Sequence, residues 1–150
     1  MDRLNDKPEL YHPDILAAAR NPARWRMEHD AQYIIKAYNP VCGDKFEIRL
    51  DVDGVITDTS FFGYGCVVSK ASTALLTEML LSMHLEEARE MLVQYVTMMT
   101  DEKYELQSDS SFLPFMNART YPGRIQCALL GWESLLKNEP FNSFKSTSHG

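Results

Sequence analysis

The clearest element along the chain is a stretch in which apolar and charged residues alternate. Phe46, Ile48, Leu50 and Val52 are separated by single charged residues, from Lys45 to Asp51. A period of two is the signature of a strand with one buried face, so residues 45–52 are predicted to form a half-buried strand.

Two further strands are predicted next to this one. Asp53-Gly54 is the signal of a two-residue hairpin, after which the chain returns as a strand from Val55 to Phe62. Residues 31–38 also have strand composition and stop at Asn39-Pro40. The sequence therefore predicts three antiparallel strands.

After Gly63 and Gly65 the apolar period changes to that of a helix. The predicted helices cover 8–19, Cys66 to about Met83, 85–99 and a last segment that follows Tyr121-Pro122-Gly123 and ends near Leu136, with one helical turn near 112–116. The predicted fold class is α+β: a small three-stranded antiparallel sheet with helices packed on one face.

Length and charge restrict the function classes. The 150 residues are expected to form a single domain, 1–150, with a tail that is flexible from about residue 138. No apolar stretch is long enough to span a membrane and no apolar leader is evident, so we expect a cytoplasmic protein without a membrane partner. The net charge of −6 argues against a nucleic-acid partner.

The chain has three cysteines: Cys42, Cys66 and Cys127. An odd number without a secretion signal does not predict a disulfide framework. In a reducing compartment such residues are metal ligands, reactive thiols or core residues.

The predicted hairpin brings two of these cysteines together. In a two-residue hairpin at 53–54, Cys42 and Cys66 would lie opposite each other, within one residue, at the open end of the strand pair. Opposed Cβ atoms are about 5 Å apart, which is close enough to share a metal ion. Asp44, two residues after Cys42, would lie on the same face of an extended chain. We therefore expect a cluster of Cys42, Asp44 and Cys66 at the rim of the sheet.

The third cysteine completes a candidate ligand set. Cys66 and Cys127 both lie in the first turns of predicted helices, where the helix dipole stabilises a thiolate. Three thiolates and one carboxylate form a four-ligand set that tetrahedral Zn²⁺ accepts. Because this set is anionic, Arg124, one turn before Cys127, is the candidate cation beside it.

The cysteine motifs resemble those of the scaffold family of iron–sulfur cluster assembly, of the IscU, SufU and NifU N-terminal type. The matching stretches are Asn39-Pro40-Val41-Cys42-Gly43-Asp44, Phe61-x-Gly63-x-Gly65-Cys66-x-x-Ser69-x-Ala71-Ser72 and Arg124-x-x-Cys127-Ala128-x-Leu130-x-Trp132-x-x-Leu135. The weaker match of Leu10-Tyr11 with Asn21-Pro22 resembles the first helix of the family. Together these stretches span most of residues 10–136.

Within the family the chain is most similar to the SufU branch. The stretch between Cys66 and Cys127 is long, and Gln126 stands where the IscU branch carries a metal-ligating histidine. The resemblance implies Cys42, Asp44, Cys66 and Cys127 as ligands of Zn²⁺, Cys42 as the acceptor of persulfide sulfur and Arg124 as a supporting residue. It also implies a cysteine desulfurase of the SufS type and downstream iron–sulfur assembly proteins as partners, so the chain would be sulfurtransferase-like rather than a stand-alone enzyme.

Three functions remain open at this stage. The chain is expected to be a zinc-dependent acceptor and carrier of sulfur, a scaffold that assembles and transfers a [2Fe–2S] cluster on the same ligands, or a non-catalytic zinc protein that regulates the desulfurase. Gln126 favours the first over the second. The four histidines are interpreted as solvated residues of loops and termini (His12, His29, His84 and His149), and Ser69 and Ser72 as polar groups of a helix start.

Overall fold

The computed structural model describes residues 11–101, 103 and 110–143. The strands are β1 (Tyr33–Asn39), β2 (Asp44–Asp53) and β3 (Val55–Tyr64), which form an antiparallel sheet in the order β1-β2-β3. The helices are α1 (Pro13–Arg20), α2 (Val67–Leu80), α3 (Leu85–Thr100), α4 (Leu113–Met116) and α5 (Pro122–Leu136), with 3₁₀ turns at Asn117–Thr120 and Phe141–Ser143.

The alternation in β2 becomes the division between core and solvent. Phe46, Ile48 and Leu50 are buried on one face of the sheet, where α2 packs on β3 and α5 packs on β1 and β2. Helix α1 packs on α2, and α3 packs on α5. The predicted α+β fold, with a three-stranded antiparallel sheet and helices on one face, is confirmed.

The register of the hairpin differs from the prediction. Asp53 pairs with Val55 around Gly54, whose φ is 78°. A bulge between Asp51 and Val52 then shifts the pairing. Because the bulge places one extra residue on β3, the shift is carried through to the open end of the pair, where Lys45 faces Tyr64.

The predicted pairing of Cys42 with Cys66 is wrong, because β2 begins at Asp44 and β3 ends at Tyr64, before either cysteine is reached. The β1–β2 ladder closes with Asn39 opposite Asp44, so Cys42 lies in the turn between these strands rather than in an extended segment. The residue of this segment that contacts Cys66 is Asp44.

At the start of the chain, the first helix is shorter than predicted. Helix α1 begins at Pro13, where the Nδ1 atom of His12 accepts a hydrogen bond from the backbone N–H of Asp14. Residues 8–10 of the predicted helix lie outside the described residues. At the other end Phe141 is fully buried in the core, and the remaining tail, 144–150, lies outside the described residues.

In the part of the chain that the structure describes, no helix combines the length and the apolar character needed to cross a membrane.

Candidate metal and sulfur site

Cys42 is presented by the tight turn between β1 and β2. The side chain of Asn39 accepts a hydrogen bond from the N–H of Val41 at 3.1 Å, and its carbonyl accepts one from the N–H of Gly43 at 2.7 Å. Gly43 has a φ of 81°, a backbone conformation that favours glycine. The turn leaves Cys42 exposed to solvent.

Asp44 lies directly below this turn and is buried, with 2% of its surface exposed. Its Oδ1 atom accepts a hydrogen bond from the backbone N–H of Cys66 at 3.1 Å. Its Oδ2 atom is buried and has no hydrogen-bond partner among the described residues. A buried carboxylate oxygen without a partner is costly, so this atom is suited to receive a cation.

Cys66 is the N-cap residue of α2. Its Sγ atom accepts a hydrogen bond from the N–H of Ser69 at 3.4 Å, and the Ser69 hydroxyl donates to the Cys66 carbonyl at 3.1 Å. The hydrogen bond from the Cys127 thiol, together with that from the Ser69 amide, lowers the pKa of Cys66 to about 5.

Cys127 lies on the second turn of α5 and is buried. Its Sγ atom is 3.9 Å from the Sγ atom of Cys42. The hydrogen bond to Cys66 and burial raise the pKa of Cys127. Arg124 contacts this thiol through its guanidinium, and the hydrogen bond to Cys127 raises the pKa of Arg124. Arg124 therefore lies beside Cys127.

The sequence-predicted ligands converge, although one of them is set slightly apart. One ligand atom each from Cys42, Asp44 and Cys127 lies within 4.8 Å of the other two. Cys66 is not part of this mutually close set, but it reaches Cys127 through the hydrogen bond described above. Three sulfur atoms and a buried carboxylate oxygen are donors that fit Zn²⁺.

Gly65 makes room for the site. A Cβ atom at this position would lie 2.6 Å from the Ser69 hydroxyl, 2.8 Å from Asp44 Oδ1 and 2.9 Å from a ring carbon of Phe46. The absence of a side chain, rather than an unusual backbone angle, is what the site requires of this glycine.

A buried polar group behind Cys127 was not anticipated from the sequence. Ser72 and Tyr95 both donate hydrogen bonds to the backbone carbonyl of Ala128, at 2.7 and 2.8 Å, and the indole N–H of Trp132 donates to the Ser72 hydroxyl at 2.8 Å. This group, which we call the Ala128 clamp, joins α2, α3 and α5 one residue after Cys127. The matching motifs included Ser72 and Trp132, but Tyr95 carried no signal beyond its place on a helical stripe.

The interpretation of His29 as a solvated histidine is wrong. Its ring is 6% exposed, and its nitrogens lie 2.6 Å from the Ser60 hydroxyl and 2.7 Å from Asp51 Oδ2. Asp58, 3.5 Å from the ring, forms ion pairs with Arg24 and Arg26. These residues could not be associated from the sequence because they lie on segments that only the fold brings together. His12 and His84 are helix N-caps, and His149 lies outside the described residues.

Comparison with known proteins identifies the family of the chain. The model of the NifU-like N terminal domain family matches residues 10–135. The chain belongs to this family.

Two relatives of the chain show the functions that occur among similar proteins. The zinc-dependent sulfurtransferase SufU of Bacillus subtilis strain 168 is 29% identical over 130 residues, which are 85% of this chain and 88% of that protein. The iron–sulfur cluster assembly scaffold protein IscU of Thermotoga maritima is 32% identical over 107 residues, which are 71% of this chain and 75% of that protein. The resemblance noted in the sequence is thus confirmed.

Solved structures support the same assignment. The structure described as an iron–sulfur cluster assembly scaffold protein for the SUF system of Fervidobacterium islandicum AW-1 has a TM-score of 0.76 and 26% identity, covering 83% of this chain and 93% of that one. A NifU-like N-terminal protein of Brucella abortus has a TM-score of 0.75 at 18% identity, covering 93% of this chain and 95% of that one, and shares the fold.

Proposed function

We propose that this protein of the NifU-like family is a zinc-dependent acceptor and carrier of persulfide sulfur that serves a cysteine desulfurase in iron–sulfur cluster assembly. The observation that supports this most is the convergence of Cys42, Asp44 and Cys127 within 4.8 Å, with Cys42 exposed at the surface. The SufU relative, whose name describes it as a zinc-dependent sulfurtransferase, agrees with this proposal.

The proposed ligands are Cys42, Asp44, Cys66 and Cys127. Bound Zn²⁺ would balance the charge of this anionic set and hold the thiols in their deprotonated form at neutral pH. Arg124 lies beside Cys127 and adds positive charge at the same place. Burial of Asp44 and Cys127 keeps water away from one side of the set, whereas the exposed turn leaves Cys42 accessible.

Cys42 is the proposed sulfur acceptor because it is the exposed member of the three cysteines. Its thiolate attacks the outer sulfur of a persulfide on the donor cysteine. A new sulfur–sulfur bond forms on Cys42 while that of the donor breaks, and the donor cysteine leaves as a thiolate that takes up a proton. The exchange has no net oxidation or reduction, so it needs no further reactant.

A scaffold for a [2Fe–2S] cluster is the second candidate function. It is favoured by the identity of 32% to the IscU scaffold of Thermotoga maritima. In this chain Gln126, at the position of the ligating histidine that the resemblance to IscU implies, is exposed on α5. An amide is a poorer ligand than an imidazole, and this favours the zinc carrier over the scaffold.

Metal analysis of protein purified with and without oxygen tests which metal the site binds. We expect about one Zn²⁺ per chain, since the four donors fill a tetrahedral site. Asp44→Asn keeps an oxygen that can accept the Cys66 N–H but loses the charge, so it should bind zinc at least tenfold more weakly; the exposed Asp53→Asn is the control. Iron with thiolate-to-iron absorption bands would instead establish the scaffold function.

Mass spectrometry after reaction with a cysteine desulfurase and free cysteine tests the acceptor. We expect the added mass of one sulfur atom on Cys42, and no stimulation of the desulfurase by Cys42→Ser. Added sulfur on Cys127, with Cys42 unmodified, would overturn the assignment of Cys42.

A further inference from the structure

The outer face of the sheet carries exposed apolar side chains at the end that holds Cys42. Tyr38 pairs with Lys45, and Lys45 pairs with Tyr64, so these three residues form one row across the strands. They point away from the helices, because the adjacent residue Phe46 is buried against them. Tyr38 is 59% exposed and Tyr64 is 65% exposed. On the outer face, this row is the last one before the turn that carries Cys42.

A groove continues from this row. The segment 24–26 runs along the free edge of β3, where the N–H of Arg26 donates to the Phe61 carbonyl and the N–H of Phe61 donates to the Arg24 carbonyl, both at 3.1 Å. Trp25 and Met27 lie beside β3 in this way and form one wall of a groove of about 480 Å³. The remaining lining comes from the strands: Lys36, Lys45, Phe46, Glu47, Phe62, Gly63 and Tyr64.

We use the name sheet patch for the exposed side chains around this groove and the adjoining turn: Met27, Lys36, Tyr38, Val41, Lys45 and Tyr64. Val41, next to Cys42, is 92% exposed, and Met27 is 65% exposed. Tyrosine and methionine are enriched in the cores of protein interfaces and scarce as contiguous surface on monomers. The composition of the sheet patch is therefore that of a surface that another protein covers.

The charge of the sheet patch indicates the kind of partner. Among the described residues neither Lys36 nor Lys45 has a carboxylate partner, whereas Glu47 is paired with Arg49. The patch is thus positive, on a protein whose net charge is −6. A partner with carboxylates around an apolar anchor complements it. A second copy of this chain, joined through a two-fold axis, would place two patches of the same positive charge against each other.

We propose that the sheet patch is the docking surface for the protein that donates sulfur to Cys42, with an apolar side chain of the donor in the groove and acidic residues of the donor against Lys36 and Lys45. The inference rests on the proposed function. The transferred sulfur must come within about 2 Å of Cys42 Sγ, so the donor surface covers the turn. A stable interface buries about 800 Å² on each partner. An interface of this size over the turn would extend from Val41 across the Tyr38–Lys45–Tyr64 row.

The dissociation constant for the cysteine desulfurase of the same organism tests the docking surface. Met27→Glu and Lys36→Glu should each weaken binding at least tenfold, because they place a negative charge against acidic residues of the donor. Val93→Glu, at an apolar side chain of α3 that is 40% exposed, and Lys137→Glu, at an exposed lysine after α5, are the matched controls and should bind within twofold of the wild type. Thermal melts monitor folding, and both patch side chains lie outside the core.

Two results would overturn the docking surface: unchanged desulfurase binding by both patch variants, or no binding by the wild type. A dimer of the chain that Met27→Glu dissociates in sedimentation equilibrium, while desulfurase binding is unaffected, would assign the patch to a second copy instead. The mass of Cys42 is measured separately. If the wild type binds but Cys42 gains no sulfur, the proposed function is wrong, and the dissociation constants still decide the role of the sheet patch.

Discussion

At the scale of single residues, Gly65 determines whether the site can form. Atoms of Asp44, Ser69 and Phe46 would each lie less than 3 Å from a Cβ atom added at this position. Glycine is therefore required at this motif position because there is no room for a side chain. Gly123, at the start of α5, has nothing within 4 Å of the same hypothetical atom, which makes the two glycines a matched pair.

Gly65→Ala should destabilise the protein by about 1–3 kcal/mol, because overpacking displaces Asp44 and the first turn of α2. It should also weaken zinc binding. Gly123→Ala should stabilise by up to about 1 kcal/mol, since alanine is a better helix former and meets no neighbour. Urea unfolding of both variants checks the signs, and equal stabilities would contradict the steric account of Gly65.

At the scale of the elements, the Ala128 clamp holds the helices that present Cys127. Its hydrogen bonds come from α2 and α3 and meet on a carbonyl of α5. The ring of Tyr95 stacks on Trp132 with centroids 3.7 Å apart. Burial raises the pKa of Tyr95, so its hydroxyl stays protonated and remains a donor. The position of Cys127 therefore depends on polar contacts inside an apolar core.

The clamp predicts an order of stabilities. Tyr95→Phe keeps the stacked ring and leaves the Ala128 carbonyl bonded to Ser72, so it should cost about 1 kcal/mol. Ser72→Ala also removes the acceptor of the Trp132 indole N–H, and a buried donor without a partner adds about 1–3 kcal/mol. The free energy of unfolding of each variant measures this. A Ser72→Ala variant no less stable than Tyr95→Phe would exclude the clamp as described.

At the scale of the whole molecule, an ion-pair network ties the segment after α1 to the outer face of the sheet. The network consists of His29, Asp51 and Asp58 with Arg24 and Arg26. The hydrogen bond to His29 lowers the pKa of Asp51. Burial acts to raise the pKa of Asp58, but the hydrogen bond and charge of Arg26, with His29 and Arg24, leave it below its ordinary value of 3.8.

Because these carboxylates have lower pKa values folded than unfolded, they stabilise the protein above the unfolded value of 3.8. That stabilisation is lost as the pH falls through their folded values. Asp58→Asn should therefore reduce the difference in urea midpoint between about pH 7 and about pH 3. Asp53→Asn, at the exposed last residue of β2, should leave the difference as in the wild type. An unchanged difference in Asp58→Asn would show that the network contributes no pH dependence.

The sequence by itself determined the secondary-structure elements and identified the candidate site residues. Strict alternation over 45–52 predicted β2 because burial of one face acts on every second residue, and helical stripes predicted α2, α3 and α5 for the corresponding reason. The three cysteine motifs identified Cys42, Asp44, Cys66 and Cys127 as candidates, and the structure brings these residues together. Such patterns involve residues that are close in sequence, so they can be recognised without knowing the tertiary contacts.

Only the tertiary structure decided how those residues meet. The ladder between β1 and β2 closes at Asn39 and Asp44, which leaves Cys42 in a turn instead of the predicted strand pair and brings Asp44 against the Cys66 amide. The contact between Cys42 and Cys127 at 3.9 Å joins segments 85 residues apart, and the ring of His29 is buried by residues of two later strands. Strand register and long-range contacts depend on the packing of the whole core. The arrangement that buries the most apolar surface is favoured, and no local sequence pattern specifies it.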